Sequence, residues 1–157
     1  MIYIFIKKNK ISLSELFEKS KKQIADLFEV NINDLLFEKN KIGKPYIKDN
    51  LLYISGAHSG EYTVLAVGKS SLGVDIEKEK DIDYYMLAKR LFPNYNINSQ
   101  KELFKLWCGY EAVYKRFGGI NLKGFDNEQD SITYFDNIEG YTFAISSTEK
   151  EFAFMVI

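Results

Sequence analysis

The order of segments in this chain predicts an α+β fold made of two pseudo-twofold-related halves, each an antiparallel sheet packed with helices. Three observations lead there. Strand-like and helix-like stretches come in blocks, first strand, helix, strands, then strand, helices, strands. Two stretches open on a capping-box pattern, Ser12 with Glu15 and Ser99 with Glu102, in which a hydroxyl and a carboxylate satisfy free amides at a helix start. Finally, nothing in the 157 residues reads as a linker, a repeat or a low-complexity run. A single domain, 1–157, is therefore expected, with halves of about 1–68 and 69–157 and a ligand cleft between them.

Taken in order, residues 2–6 are β-branched and aromatic and read as a strand. Leu13, Leu16, Phe17, Ile24, Leu27 and Phe28 recur at helical spacing, so a helix runs from the Ser12 cap to about Glu29. A polar break at Asn31–Asp34 precedes the short apolar run 35–37 and a loop, Ile42-Gly-Lys-Pro-Tyr-Ile47. Residues 51–55 and 62–67 read as strands joined by a loop that holds Gly56, His58 and Gly60. A turn at 68–71 introduces the strand 72–77, and Asp81 is placed to cap a helix that stops at Pro93. The next helix carries Leu103, Leu106, Trp107, Tyr110, Val113, Tyr114 and Phe117 at steps of three and four and closes at Gly118-Gly119. Strands over 131–136, 141–147 and 151–157 end the chain.

Composition excludes several classes. A formal net charge of −1 gives no extended footprint for nucleic acid. The apolar start Met1-Ile-Tyr-Ile-Phe-Ile is cut short by Lys7 and Lys8, so no secretory leader is expected, and no apolar run is long enough for a membrane span. Cys108 is the only cysteine, so no internal disulfide forms, and a cytoplasmic location is expected. Charge is nonetheless uneven: residues 1–48 hold ten Lys against six acids, and residues 120–157 hold two Lys against seven. Such a gradient can steer an anionic ligand to one end.

The candidate chemistry is carried by carboxylates. In the strand Leu72-Gly-Val-Asp-Ile-Glu77, alternate side chains share a face, so Asp75 and Glu77 project side by side while Leu72, Val74 and Ile76 enter the core. This is either a strand end running into solvent or half of a cation site. On the helix, Glu111 lies about 40° around from Trp107, on an apolar edge, with Lys115 one turn on. Alone, Glu111 and Lys115 are an ordinary i,i+4 pair. With Asp75 and Glu77 they offer three hard oxygen ligands that suit Mg²⁺, plus a cation for phosphate. Glu111 could also accept a proton from an attacking hydroxyl. His58 and Lys44 are candidates to donate to a phosphate, each alone being more often a surface residue, and the single histidine rules out zinc sites built on several His and Cys.

Four segments in register resemble the 4′-phosphopantetheinyl transferase superfamily, in particular its surfactin-synthetase-activating type. They are Gly43-Lys44-Pro45, Ala57-His58-Ser59-Gly60, Gly73-Val74-Asp75-Ile76-Glu77, and the helix from Trp107 through Glu111-Ala112 to Lys115. Residues 88–93, Ala-Lys-Arg-Leu-Phe-Pro, are similar to the family's basic-aromatic helix end. The resemblance implies that family's fold and a transfer of phosphopantetheine from coenzyme A to a serine of an acyl or peptidyl carrier protein, with release of 3′,5′-ADP. It implies Asp75, Glu77 and Glu111 as ligands of Mg²⁺ (or Mn²⁺), Glu111 and Lys115 as the catalytic pair, and Lys44, His58, Asp75 and Lys115 around coenzyme A. A monomer is expected, with no nucleic-acid or membrane partner. The sequence departs from the family at Tyr110, where the family has Lys, at Ala57, where Ser is common, and in a shorter front half. Lys7, Lys8, Lys21 and Lys22 are candidates for the family's basic residues around the nucleotide. The alternatives are a non-catalytic relative that binds a carrier protein or coenzyme A, and a Mg²⁺-dependent nuclease or phosphatase, the last lacking any basic stripe.

Overall fold

Alternation along the first strand decides the layering. The computed structural model describes residues 1–157. In it, β1 (Ile2–Lys8) sends Ile2, Ile4 and Ile6 into one core and Tyr3 and Phe5 into another. Helix α1 (Leu13–Phe28) covers the second face with Leu16, Phe17, Ile24 and Phe28, and Ser12 Oγ accepts the Glu15 amide at 3.1 Å as the capping pattern predicts. A small hairpin, β2 (Phe37–Lys39) with β3 (Pro45–Ile47), leads to β4 (Tyr53–Ser59) and β5 (Tyr62–Gly68). Then come β6 (Leu72–Lys78), α2 (Tyr84–Leu91), α3 (Gln100–Phe117), α4 (Leu122–Asn127), β7 (Ile132–Phe135), β8 (Tyr141–Ser147) and β9 (Phe152–Val156). No helix is long and apolar enough to cross a membrane.

The strands form a four-stranded sheet, β4-β5-β1-β9, and a three-stranded sheet, β6-β8-β7, beside the β2-β3 hairpin. The α+β class is as expected. The sheets pack face to face: Ile2, Ile4, Val64 and Ala66 from the first meet Val74, Ile76, Phe143 and Ile145 from the second in one core. The order from outside to outside is α1, sheet, sheet, α3. Along one edge Ser55 Oγ and Ser59 Oγ on β4 accept the amides of Val74 and Lys78 on β6, at 3.1 and 2.9 Å. Along the other edge Phe135 of β7 packs on Phe152 and Phe154 of β9.

Four sequence expectations change. The first sheet is not purely antiparallel, because β9 leaves the second half of the chain and joins β1 in parallel, Ile4 opposite Phe154. The apolar strand ending the chain covers an apolar edge that the first half alone leaves open. His58 lies on a strand and not in a loop, because β4 and β5 pair as far as Ser59 opposite Tyr62, leaving a two-residue turn with Gly60 at φ 53°. Small residues at 55–59 hide that strand from propensity. The α2 cap is Asp83, whose Oδ1 accepts the Met86 amide at 3.4 Å, and not Asp81. Both positions carry an acid, and local sequence does not choose between them. Helix α4 was not expected at all; six residues are too few for a periodic signal.

Helix α3 lies directly on β6 because Gly73 has no side chain. A Cβ there would stand 1.9 Å from the Ala112 carbonyl oxygen and 2.6 Å from the Arg116 amide nitrogen, both backbone atoms that cannot swing aside. Gly73→Ala should therefore destabilise the fold by at least about 2 kcal/mol in urea unfolding, toward the upper end for overpacking. Wild-type stability in that variant would show that helix and strand are not in contact.

Candidate functional site

Two elements hold the carboxylates. On β6, Val74 and Ile76 are buried in the inter-sheet core, which turns Gly73, Asp75 and Glu77 toward α3, as alternation predicts. Helix α3 begins at Ser99, whose Oγ accepts the Glu102 amide at 3.1 Å, and ends at Gly118 with φ 73°. It presents Cys108, Ala112 and Lys115 to the strand. Asp75 is only 4% exposed. Its Oδ1 accepts from Lys115 Nζ at 2.7 Å, whereas Oδ2 is buried with no hydrogen-bond partner. The Cys108 thiol lies beside Asp75 and donates to the Thr142 carbonyl oxygen at 3.5 Å.

Charge is crowded here. Burial pushes the Asp75 carboxyl above its usual range, and the Lys115 ammonium only partly offsets this. Glu77 is also raised, first by burial and then by the Asp75 charge, with Lys115 and the Trp107 side chain opposing. Glu111 is raised by burial and by Asp75, again with Lys115 opposing. One lysine thus serves three acids that repel one another. Burial also pushes the Cys108 thiol well up, which leaves it a packing residue and not a nucleophile.

The expected three-carboxylate Mg²⁺ group is not formed. No set of three or more His, Cys, Asp or Glu side chains is gathered to hold an ion. In this structure α3 supplies a cation of its own, Lys115 Nζ donating to Asp75 Oδ1 at 2.7 Å. The donor chemistry still suits a hard divalent cation, since one buried Asp75 oxygen has no partner and three neighbouring carboxylates carry a single positive charge among them.

Beside this cluster opens a cleft of about 460 Å³ between the β2-β3 hairpin, β4, the start of α1 and the end of α3. Lys39, Lys44, His58 and Lys115 line it, with Tyr114 and the start of α1, and no carboxylate does. The structure therefore brings Lys44, His58 and Lys115 to one cavity, and Lys115 joins it to Asp75. His58 is exposed on β4. Lys44 is anchored, its Nζ donating to the Arg116 carbonyl oxygen at 3.2 Å near the C-terminal end of α3, and burial lowers its pKa. Its loop is shaped by Asn40, whose Oδ1 accepts the amides of Ile42 and Lys44, and by Gly43 at φ 81°.

Lys7, Lys8, Lys21 and Lys22 do not line the cleft, and Lys39, which no sequence motif marks, does. Its signal was only its place one residue before Asn40 and the Gly43-Lys44-Pro45 turn. Tyr110 faces away from the acids. Its hydroxyl donates to the Ile120 carbonyl oxygen at 2.9 Å, and its ring packs against Phe92, Trp107 and Phe125.

A basic, acid-free cleft that runs onto a cluster of carboxylates is suited by charge to a polyanion, and comparison with known proteins shows what the chain resembles. No family model matches the chain. It is 29% identical over 131 residues to 4′-phosphopantetheinyl transferase gsp of Aneurinibacillus migulanus, covering 74% of this chain and 55% of that protein. It is 29% identical over 110 residues to 4′-phosphopantetheinyl transferase Sfp of Bacillus subtilis (63% and 49% covered). It is 30% identical over 105 residues to 4′-phosphopantetheinyl transferase psf-1 of Bacillus pumilus (60% and 45%). The resemblance read from the sequence therefore holds: the chain is similar to curated 4′-phosphopantetheinyl transferases. It spans about half the length of the curated relatives it matches.

The buried Asp75–Lys115 pair gives a direct test of the site's electrostatics. Lys115→Met should lower stability by roughly 2–3 kcal/mol, because it leaves Asp75 buried and uncompensated; the range sits at or below that for fully buried pairs because solvent reaches Lys115. Adding Asp75→Asn should recover part of that loss in the same denaturation measurement. Independent, additive effects of the two substitutions would mean that the pair is not coupled.

Proposed function

We propose that this chain transfers the 4′-phosphopantetheine group of coenzyme A to a serine of an acyl or peptidyl carrier protein and releases 3′,5′-ADP. The observation that carries the proposal is the acid-free cleft with Lys39, Lys44, His58 and Lys115, continuous through Lys115 with the buried Asp75. Coenzyme A carries a pyrophosphate and a 3′-phosphate, and such a cleft matches that charge. In this reading Lys44 and His58 hold phosphates, and Lys115 and Asp75 lie by the pyrophosphate. Glu111, its pKa raised by burial and by Asp75, accepts the proton of the carrier serine. The serine oxygen then bonds to the β-phosphorus, the bond from that phosphorus to the bridging oxygen breaks, and 3′,5′-ADP departs with the negative charge that Lys115 offsets. Asp75, Glu77 and Glu111 are the residues that would hold Mg²⁺ or Mn²⁺. When bound, the ion would neutralise charge on the pyrophosphate.

The same reading takes the chain as one domain whose halves, 1–68 and 69–157, are related by a pseudo-twofold. Equal strand orders support it: β4-β5-β1 in the first half and β7-β8-β6 in the second, each built as strand, helix and hairpin.

Incubation with coenzyme A, Mg²⁺ and apo carrier proteins should add one phosphopantetheine mass to a carrier serine. Glu111→Ala should cut that rate by about 10²-fold or more with the fold intact, the usual loss of a general base. Full activity in the variant would remove Glu111 from its role. A second reading, a non-catalytic relative that binds coenzyme A or a carrier protein, is favoured by Tyr110. Its hydroxyl is committed to Ile120 and adds no positive charge near the phosphates. Coenzyme A titrations separate the two: binding tightened by Mg²⁺ supports the transferase, and binding indifferent to it, without transfer, supports the relative.

A further inference from the structure

A second cleft, of about 330 Å³, lies across the Asn40–Pro45 loop from the first. Lys44 and Pro45 line both cavities. The polar lining of the second is Asn40, Lys44, Tyr46, Asn50, Tyr53, Ser71 and Arg116, over Leu52, Ile54 and Leu72, and the Tyr46 hydroxyl donates to Glu38. The lining holds two cations and no carboxylate. The other two sizeable clefts both carry acids, Asp34 and Asp49 in one, Glu79 and Asp136 in the other.

Arg116 is the unusual group. Its side chain is only 9% exposed, so its charge is largely desolvated. Nε donates to Ser71 Oγ at 2.9 Å, and the guanidinium lies 4.8 Å from the Phe117 ring centroid. Nη1 is buried without a hydrogen bond and forms a 3.7 Å ion pair with Glu128 Oε2, which lies outside the cleft lining. A cleft lined by two cations and several neutral donors, with no carboxylate, is suited to an anion.

We propose that this cleft is a second anion site, taking a compact phosphate-bearing group and separate from the cleft assigned to coenzyme A. Arg116 supplies a planar donor, Lys44 a point charge, and Asn40, Asn50, Tyr53 and Ser71 neutral donors. Because Lys44 belongs to both walls, an anion here draws on the same ammonium that faces the first cleft, and so links occupancy of the two.

The probe is inorganic phosphate, followed through the backbone amide signals of Ser71 and Asn50 for the second cleft and of Gly56 and Ala57 for the first. Millimolar phosphate should shift Ser71 and Asn50 in the wild-type chain, both alone and with coenzyme A present. Arg116→Gln should weaken that phosphate affinity by roughly tenfold or more, the loss of one charge-assisted contact, while Gly56 and Ala57 still respond to coenzyme A. Asn50→Asp is a second variant, at an exposed position whose backbone, φ 51°, Asp tolerates. It places a negative charge in the lining without disturbing Arg116 and should weaken phosphate to a similar degree. The proposal fails if Ser71 and Asn50 do not move in the wild type, or if either folded variant binds phosphate unchanged. It also fails if coenzyme A abolishes the phosphate response at Ser71 and Asn50, since the cavity would then be an extension of the first cleft. Loss of the coenzyme A response at Gly56 and Ala57 bears on the transferase reading alone.

Discussion

The Asp75–Lys115 pair is the interaction on which the site depends. Asp75 is almost wholly buried, and an uncompensated carboxylate there would cost several kcal/mol. Lys115 therefore has to be close, and it can be close only if α3 lies on β6 without a gap. Gly73 permits that approach, two residues before Asp75 on the same strand face. The packing of one glycine against a helix backbone thus sets where the acids, the lysine and the end of the cleft sit relative to one another.

Rigidity elsewhere follows from the same geometry. Two sheets share one apolar core, and each has its own helix on the outer face. Serine hydroxyls stitch β4 to β6, which fixes His58 on the first sheet relative to Asp75 on the second. The loop bearing Lys44 is tied to the last turn of α3 by a single ammonium–carbonyl contact. The cleft's basic residues come from three separate parts of the chain, each held to α3 or β6 by a short polar link. Such links hold direction better than apolar contact does, and they suit a site that must place charges.

Much of this was legible in the residues. Both capping boxes, the α3 stripe with its glycine stop and the alternation of β6 rest on local stereochemistry, and local stereochemistry survives folding. What failed were signals that depend on distant partners. β9 was read in the second sheet because strand propensity carries no address, and its pairing with β1 is chosen by which apolar edge is open. His58 was read in a loop because small residues conceal a strand whose existence depends on β5. Asp83 caps α2 and Asp81 does not, a choice between two acids two residues apart that local sequence leaves open.

The identity of the site residues and the faces they occupy were set by the sequence itself: Asp75 and Glu77 share one side of β6, and Glu111 and Lys115 share one side of α3. Their relation was decided only in three dimensions. From spacing, three carboxylates counted as a ligand set. In the folded chain, Lys115 claims an Asp75 oxygen, Tyr110 turns into an aromatic cluster, and Lys39 enters the cleft in place of more conspicuous lysines. Spacing determines direction along one element, and contact between elements depends on which of them can pack closely enough to share a charge.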